Sequence, residues 1–353
     1  MTEKKPIFDI KKSRERIENG KRANWWRRKG SKSKGFKYFD KEGRQVNDEA
    51  HLERIKSLVI PPAWRCVRIS PFVSNKLQAI GIDTSGRIQY RYHLKFREKQ
   101  ETKKFQKIEK FGEHLPNLRK ITNEHIGLEG LPREKVLALM TRLINSLYIR
   151  IGSEKSVKQY RTFGITTLQN RHLEIGDGGK LVFNFVGKHH IKHRKVLVDE
   201  ELAMIMKDLK SVGGAGKLFN YLDENGKPRP IKPKDINDYL KTVTAPEFSA
   251  KDFRTWGGTI LAALELADLG KAEEEKTLKK NILNAIKKVA EHLGNTPTVC
   301  RSSYIHPTVL KFYESGITLD EFSEKKNRKV KRIQTEYEPE EIALMKLFNL
   351  KDK

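Results

Sequence analysis

Between Pro132 and Ile149 the apolar residues Val136, Met140, Leu143, Ile144 and Leu147 recur at spacings of three and four, with the proline near the start. That period predicts an amphipathic helix, and its apolar stripe has to be covered by other elements. The stretch therefore commits its region to a helical core. Residues 35 to about 97 read differently. Phe36, Tyr38 and Phe39 precede an Asp40-Lys41-Glu42-Gly43 turn, and the arms Leu77 to Asp83 and Arg87 to His93 flank Thr84-Ser85-Gly86, so two hairpins are expected. Between them Leu52, Ile55, Leu58 and Val59 predict a short helix, stopped by Ile60-Pro61-Pro62-Ala63-Trp64 before a strand near Arg65 to Ile69. The polar stretch 98–112 reads as the start of a helix or a linker. A chain of 353 residues is enough for about two domains. The expected fold is α+β: a basic extension over 1–34, a small, mostly β domain over 35–97 and a mainly α-helical domain over 98–353.

The formal net charge of +27 and a pI near 9.9 point to a polyanionic partner, either nucleic acid or an anionic membrane. No apolar run approaches the roughly 18 residues of a spanning helix, and no apolar segment follows Met1-Thr2-Glu3-Lys4-Lys5. Nucleic acid is the better partner. Cys66 and Cys300 lie far apart without metal-ligand spacing and read as packing thiols in a reducing cytoplasm. There is no internal repeat, no P-loop lysine motif and no Cys-x-x-Cys, so no cofactor is expected. Near the start, Lys11-Lys12, Lys21-Arg22, Trp25-Trp26-Arg27-Arg28-Lys29 and Lys32-Ser33-Lys34 form either a solvated tail or an arm along phosphates. Near the end, Glu324 to Arg332 is a charge run and Pro339 to Leu350 a short amphipathic helix.

Several stretches carry candidate chemistry. In the second hairpin Arg87, Gln89 and Arg91 share one strand face while Ile88, Tyr90 and Tyr92 share the other. The Arg/Gln/Arg face either reads a groove or is solvated, and the tyrosines pack inward or touch nucleic-acid backbone. Arg150 adjoins the apolar stripe of the helix before it, so it is expected to be partly buried, against a structural carboxylate or a ligand phosphate. Strands are predicted at His172 to Ile175, Leu181 to Phe185 and Lys195 to Val198. The turn between the last two holds Lys188, His189, His190 and His193, and with no carboxylate or cysteine beside them a metal site is not expected. Helices are predicted at Asp235 to Val243 and Lys279 to His292. Ser249 with Asp252 three residues on fits a loose capping box, placing Lys251 and Arg254 in the first turn of a helix, where an anion is favoured. Asn295 and Tyr304 follow in a segment interrupted by prolines.

Arg150-Ile151-Gly152, Gly187-Lys188, Lys251-Asp252-Phe253-Arg254-Thr255-Trp256 and the Tyr304 segment occur in the order found in type IB DNA topoisomerases. Ile60-Pro61-Pro62-Ala63-Trp64 and Gly86-Arg87-Ile88-Gln89-Tyr90-Arg91-Tyr92 also look like the N-terminal domain of that family's compact poxviral and bacterial branch, so the resemblance covers about residues 35–320. It implies a two-domain clamp on duplex DNA, with a catalytic domain of the tyrosine recombinase and type IB topoisomerase fold. The implied reaction breaks one strand through a 3′-phosphotyrosyl link, allows rotation and reseals without ATP or an obligatory metal. By the same match Tyr304 is the nucleophile, Arg150 and Arg254 hold the scissile phosphate, Lys188 is the general acid toward the 5′ oxygen, and Lys251 lies close to the site. Asn295 stands where poxviral enzymes carry histidine; it can donate to a nonbridging oxygen but cannot carry a proton charge. The residue types suit the chemistry. A phenol needs cations to be a nucleophile near neutrality, and an arginine fork matches a phosphorane's oxygens.

Gln89, Tyr90, Tyr92, Arg87, Arg91, Lys155 and His189 are the expected DNA contacts. Ser156 replaces a DNA-contacting tyrosine of the poxviral pattern and Gln159-Tyr160 its Glu-Asn, which touches groove contacts more than chemistry. The implied protein is a monomer with duplex DNA as its partner, no obligatory protein partner and no membrane, in the cytoplasm with the nucleoid. A tyrosine recombinase is the nearest rival, but it usually shows His-x-x-Arg where this chain has Lys251-Asp252-Phe253-Arg254. A non-catalytic DNA binder would account for the charge alone.

Overall fold

The computed structural model describes residues 9–213, 216–321 and 337–350, so the expected charge run Glu324 to Arg332 lies outside the described residues. The chain divides into two compact units, 1–104 and 105–353.

In the first unit the elements run α1 (Ile10–Glu18), β1 (Trp26–Ser31), β2 (Gly35–Phe39), α2 (Glu49–Ser57), β3 (Arg65–Ile69), β4 (Leu77–Ile82) and β5 (Ile88–Tyr92). The strands form one antiparallel sheet in the order β2-β1-β3-β4-β5. One face packs Ile55 of α2 with Val67, Ile69 and Ala79; the other packs Ile17 of α1 with Ile80 and Ile82. Helices on both faces leave β4 buried almost throughout. Gly81 is needed there, since a Cβ would stand 2.8 Å from the Trp64 ring.

Part of the segment expected as an extension belongs to this sheet: β1 pairs with β2 and β3, and Trp26 joins the core beside Ile55. The principal hairpin is therefore β1–β2, turning through 32–34, while the Asp40–Gly43 turn closes only a bridge from Phe39 to Gln45. Arg28, read as part of a basic run, is half-buried against the fold. Its guanidinium donates to the carbonyls of Ile60, Pro61, Pro62 and Trp64 and lies 4.2 Å from the Phe36 ring centroid. The Pro-Pro turn is wrapped around it.

Helix α3 (Leu94–Glu113) contains the break at 104/105. The second unit continues with α4 (Leu115–Ile126), α5 (Arg133–Leu147), α6 (Glu154–Tyr160), β6 (Leu173–Ile175), β7 (Lys180–Val186), β8 (Lys192–Val198) and α7 (Glu200–Gly213). Then come β9 (Asn220–Leu222), β10 (Pro228–Pro230), α8 (Pro233–Val243), α9 (Ala250–Leu269), α10 (Glu275–Leu293), α11 (Pro297–Ser303), α12 (Pro307–Glu314) and α13 (Pro339–Leu350). Helix α5 is buried without interruption from Val136 to Ile144, and α9 is buried nearly as fully. Both sit inside one apolar cluster, with the β6-β7-β8 sheet and the β9-β10 ribbon as its only strands among the described residues. Helix α13 is fastened by a buried fork: Arg119 donates to both oxygens of Glu341 at 2.7 and 2.8 Å, beside Trp256.

Candidate active site

Helix α10 ends where Gly294 adopts the left-handed conformation (φ 60°), and the N–H groups of Gly294 and Asn295 return to Ala290 and Glu291. The carbonyls of His292, Leu293 and Gly294 are left for other donors, as the last carbonyls of a helix are. Three cations take one each. Lys195 Nζ donates to His292 at 2.6 Å, Arg254 to Leu293 at 2.8 Å and Arg150 to Gly294 at 2.9 Å. The negative end of a helix dipole favours this.

Each cation arrives on a different element. Arg150 follows α5, whose C-cap Tyr148 is left-handed (φ 53°) and turns the chain toward α10. Arg254 lies on the inner face of α9 and also donates to the Tyr148 carbonyl. Lys195 is on the inward face of β8 with His193 and Leu197. Arg150 donates in addition to Asn295 Oδ1 at 2.5 Å, which orients the amide so that the buried Nδ2 faces the Cys300 thiol, a weak acceptor. The Tyr304 ring stands over Arg254, its centroid 5.2 Å from the guanidinium carbon.

Among the described residues neither Arg150 nor Arg254 is ion-paired to a carboxylate. Of the two partners open to Arg150 on sequence grounds, the structural carboxylate is not what it has. Their acceptors are neutral, so the local positive charge stands uncompensated. Burial is the main cause lowering both arginines, Arg254 to about 10, helped by the neighbouring Arg150; both remain charged at neutral pH. Burial, then these cations, depress Lys195 to about 8 and hold His193 and His292 neutral, each at about 4.

The Tyr304 backbone is docked on α9. Gly258 admits it, since a Cβ there would lie 2.6 Å from the Tyr304 carbonyl oxygen. Thr259 Oγ1 donates to the Thr255 carbonyl, lies 3.4 Å from the Tyr304 carbonyl oxygen and accepts from the His306 N–H, and His306 Nε2 lies 3.1 Å from Glu109. None of these supports was expected.

The structure thus brings Arg150, Arg254, Asn295 and Tyr304 together, whereas Lys188 and Lys251 do not join their hydrogen bonds. Lys188 occupies the exposed tip of the β7–β8 hairpin, a 3-10 turn in which His189 and His190 have φ of 65° and 58°. Lys251 is exposed on the first turn of α9, whose Asp252 carboxylate accepts from Ser249 N and Lys107 Nζ. Arg254 turns away from that helix start toward the end of α10. No group of three or more metal-ligating side chains occurs among the described residues. No described helix is long and apolar enough to cross a membrane.

In the first unit β5 presents its tyrosines outward. Tyr90 and Tyr92 are 46% and 42% exposed with ring centroids 6.2 Å apart, while Gln89 donates to Asp83 and Arg91 to the Val59 carbonyl over Trp64. The Arg/Gln face is occupied because Trp64 packs on that side of the sheet. Arg87 is exposed and engaged within the fold, as is Lys155 on α6; His189 is exposed. Ser156 is bonded to Ser153 at the start of α6.

Residues 93–335 match the model of the eukaryotic DNA topoisomerase I catalytic core, and residues 35–83 match the bacterial DNA topoisomerase IB N-terminal domain. The chain belongs to the type IB DNA topoisomerases. These are isomerases. DNA topoisomerase 1B of Acanthamoeba polyphaga mimivirus is 31% identical over 288 residues, which cover 80% of this chain and 84% of the viral one. DNA topoisomerase 1B of vaccinia virus (strain Copenhagen) is 26% identical over 252 residues, 69% of this chain and 75% of its own. Arabidopsis thaliana DNA topoisomerase 1 alpha is 27% identical over 161 residues, 44% of this chain and 16% of the plant protein. The topoisomerase's sequence and fold agree on the family.

Proposed function

We propose that this topoisomerase relaxes supercoiled duplex DNA as a monomeric clamp, without ATP or metal. Tyr304 gives up its phenolic proton to solvent as its Oη attacks a backbone phosphorus, the new P–O bond forms a 3′-phosphotyrosyl ester, and the P–O5′ bond breaks. Lys188 delivers the proton that the departing 5′ oxygen needs, because an unprotonated alkoxide is a costly leaving group. The strand rotates, and the 5′ hydroxyl attacks the ester to restore the phosphodiester and the tyrosine. Bond energy is kept in the ester, so no nucleotide is consumed.

The observation that carries this reading is the pair of arginines beside Tyr304, Arg254 buried and Arg150 half-buried, held by carbonyls and ion-paired to no carboxylate among the described residues. A dianionic phosphorane completes such a site, with Asn295 Nδ2 as a further donor. The exposure of Lys188 at a hairpin tip supports a role in meeting DNA. Lys251, Lys155, His189 and Arg87 are proposed to touch backbone, with Tyr90 and Tyr92 contacting it through their exposed rings and Gln89 and Arg91 holding the strand that carries them.

The test is negatively supercoiled plasmid incubated with the protein in EDTA without nucleotide. Relaxed topoisomers are expected from wild type and none from Tyr304→Phe, which still binds duplex but forms no covalent adduct. An adduct in Tyr304→Phe would move the nucleophile elsewhere.

A further inference from the structure

We propose that Lys195 is a positioning residue for strand cleavage, holding the end of α10 and adding a third positive charge behind the two arginines. The inference rests on the reaction proposed above and assigns a role that neither the expected site residues nor the family motifs contain. Lys195 lines a small recess together with Arg150, Arg254, His193 and His292. Its Nζ caps the first of three consecutive carbonyls whose other two hold the arginines. If that cap is removed, the turn from His292 to Asn295 loses a fixed point, and with it the acceptors that aim both guanidiniums and the Asn295 amide.

The surroundings explain why a lysine here is more than a brace. Among the described residues no carboxylate forms an ion pair with it. The groups facing it are Arg150 beyond α5, Arg254 on α9, His292 on α10 and His193 on its own strand. Both histidines are neutral above about pH 4, so they do not screen it. A half-buried cation among cations is unfavourable in the free enzyme and is relieved when a phosphate arrives. Strain of this kind favours binding of the anion, and most of all of the transition state with its extra charge.

His193 fixes the geometry from the other side. Its ring stacks on Phe185 at 5.0 Å and fills the space above Gly187 and Gly294, where a Cβ would approach to 2.6 and 2.4 Å. The hairpin bearing Lys188 and the turn bearing Asn295 are thus packed on one ring, with Lys195 two residues along the same strand face.

The test compares full-length wild type, Lys195→Met and Lys195→Arg in single-turnover adduct formation on a nicked duplex that traps the cleaved strand. Lys195→Met is expected to slow adduct formation about ten-fold, less than the ~10²–10³ that follows removal of a donor touching the reacting oxygens. Duplex affinity should be little changed. Lys195→Arg is expected within about three-fold of wild type near pH 7. Lys195 is charged below about pH 8 and loses its charge above it. The arginine variant keeps its charge there, so the ratio of its rate to wild type should rise from about pH 7.5 to 9.5. Titrations common to both proteins cancel in that ratio. A wild-type rate in Lys195→Met, or a pH-independent ratio for Lys195→Arg, overturns the assignment. Should Lys195→Met fail to fold, the arginine ratio decides alone. Failure of wild type to form an adduct would instead refute the underlying reaction.

Discussion

Replacing Arg254 by methionine should slow the reaction severely yet leave the protein about as stable as before. Arg254 is 4% exposed, and burial, the largest cause, brings its guanidinium well below the ordinary arginine value, to about 10. At roughly 1.4 kcal/mol per unit, that is about 3 kcal/mol against the charged form. The sign matters: the folded value is depressed, so the penalty is present in full at all pH below about 10 and fades only above it. Methionine removes the penalty and fills similar space with an unbranched chain. It also leaves the Tyr148 and Leu293 carbonyls without this donor, a loss of about 1–2 kcal/mol each. The two effects offset to within ~1 kcal/mol, or about 2–4 °C in Tm for a unit of this size. Arg119→Met is the contrast, because it strands the buried Glu341 carboxylate. It should cost ~3–5 kcal/mol, roughly 6–20 °C. Thermal melting of both variants at pH 7, with adduct formation measured alongside, separates the cases. Arg254→Met should lose ~10²–10³ in cleavage rate. If it melts as low as Arg119→Met, Arg254 is a structural cation and the argument from uncompensated charge is wrong.

Asn295→Asp places a carboxylate against Arg150, so it should raise Tm by about 2–4 °C, the equivalent of ~1 kcal/mol, while abolishing adduct formation; an active variant would remove the Nδ2 donor from the mechanism. Arg28→Met empties the cradle formed by Ile60, Pro61, Pro62 and Trp64 and should destabilise the first unit by about 2–3 kcal/mol, read as faster amide exchange in β3 and β4 with the second unit unchanged; unaltered exchange would show that the Pro-Pro turn holds without it.

Periodicity made the scaffold legible: the apolar spacing after Pro132 marks α5, the alternation from Arg87 to His93 marks β5, and Ser249 with Asp252 marks the start of α9. The motif order made Arg150, Arg254, Asn295 and Tyr304 legible as a set. Much of what stayed hidden shares one physical cause: Arg28, Arg150, Arg254 and Lys195 are held by main-chain carbonyls, which have no residue-type signature. Arg28 looked like part of a basic tail because nothing in Ile60 to Trp64 announces four inward carbonyls. Arg150 could have been paired with a carboxylate for the same reason. Lys195 did carry a signal, since it shares a strand face with His193 and Leu197, but a lysine in a basic hairpin is easily assigned to solvent. Which face of β5 is exposed depended on where Trp64 lands, a tertiary fact. The use of carbonyls also has a consequence for function. A side-chain carboxylate would hold these arginines equally well but would cancel the charge that a phosphate requires. Carbonyls at a helix end fix the direction of each guanidinium and leave its full charge for the substrate, so rigidity and electrostatic demand are met by the same contacts.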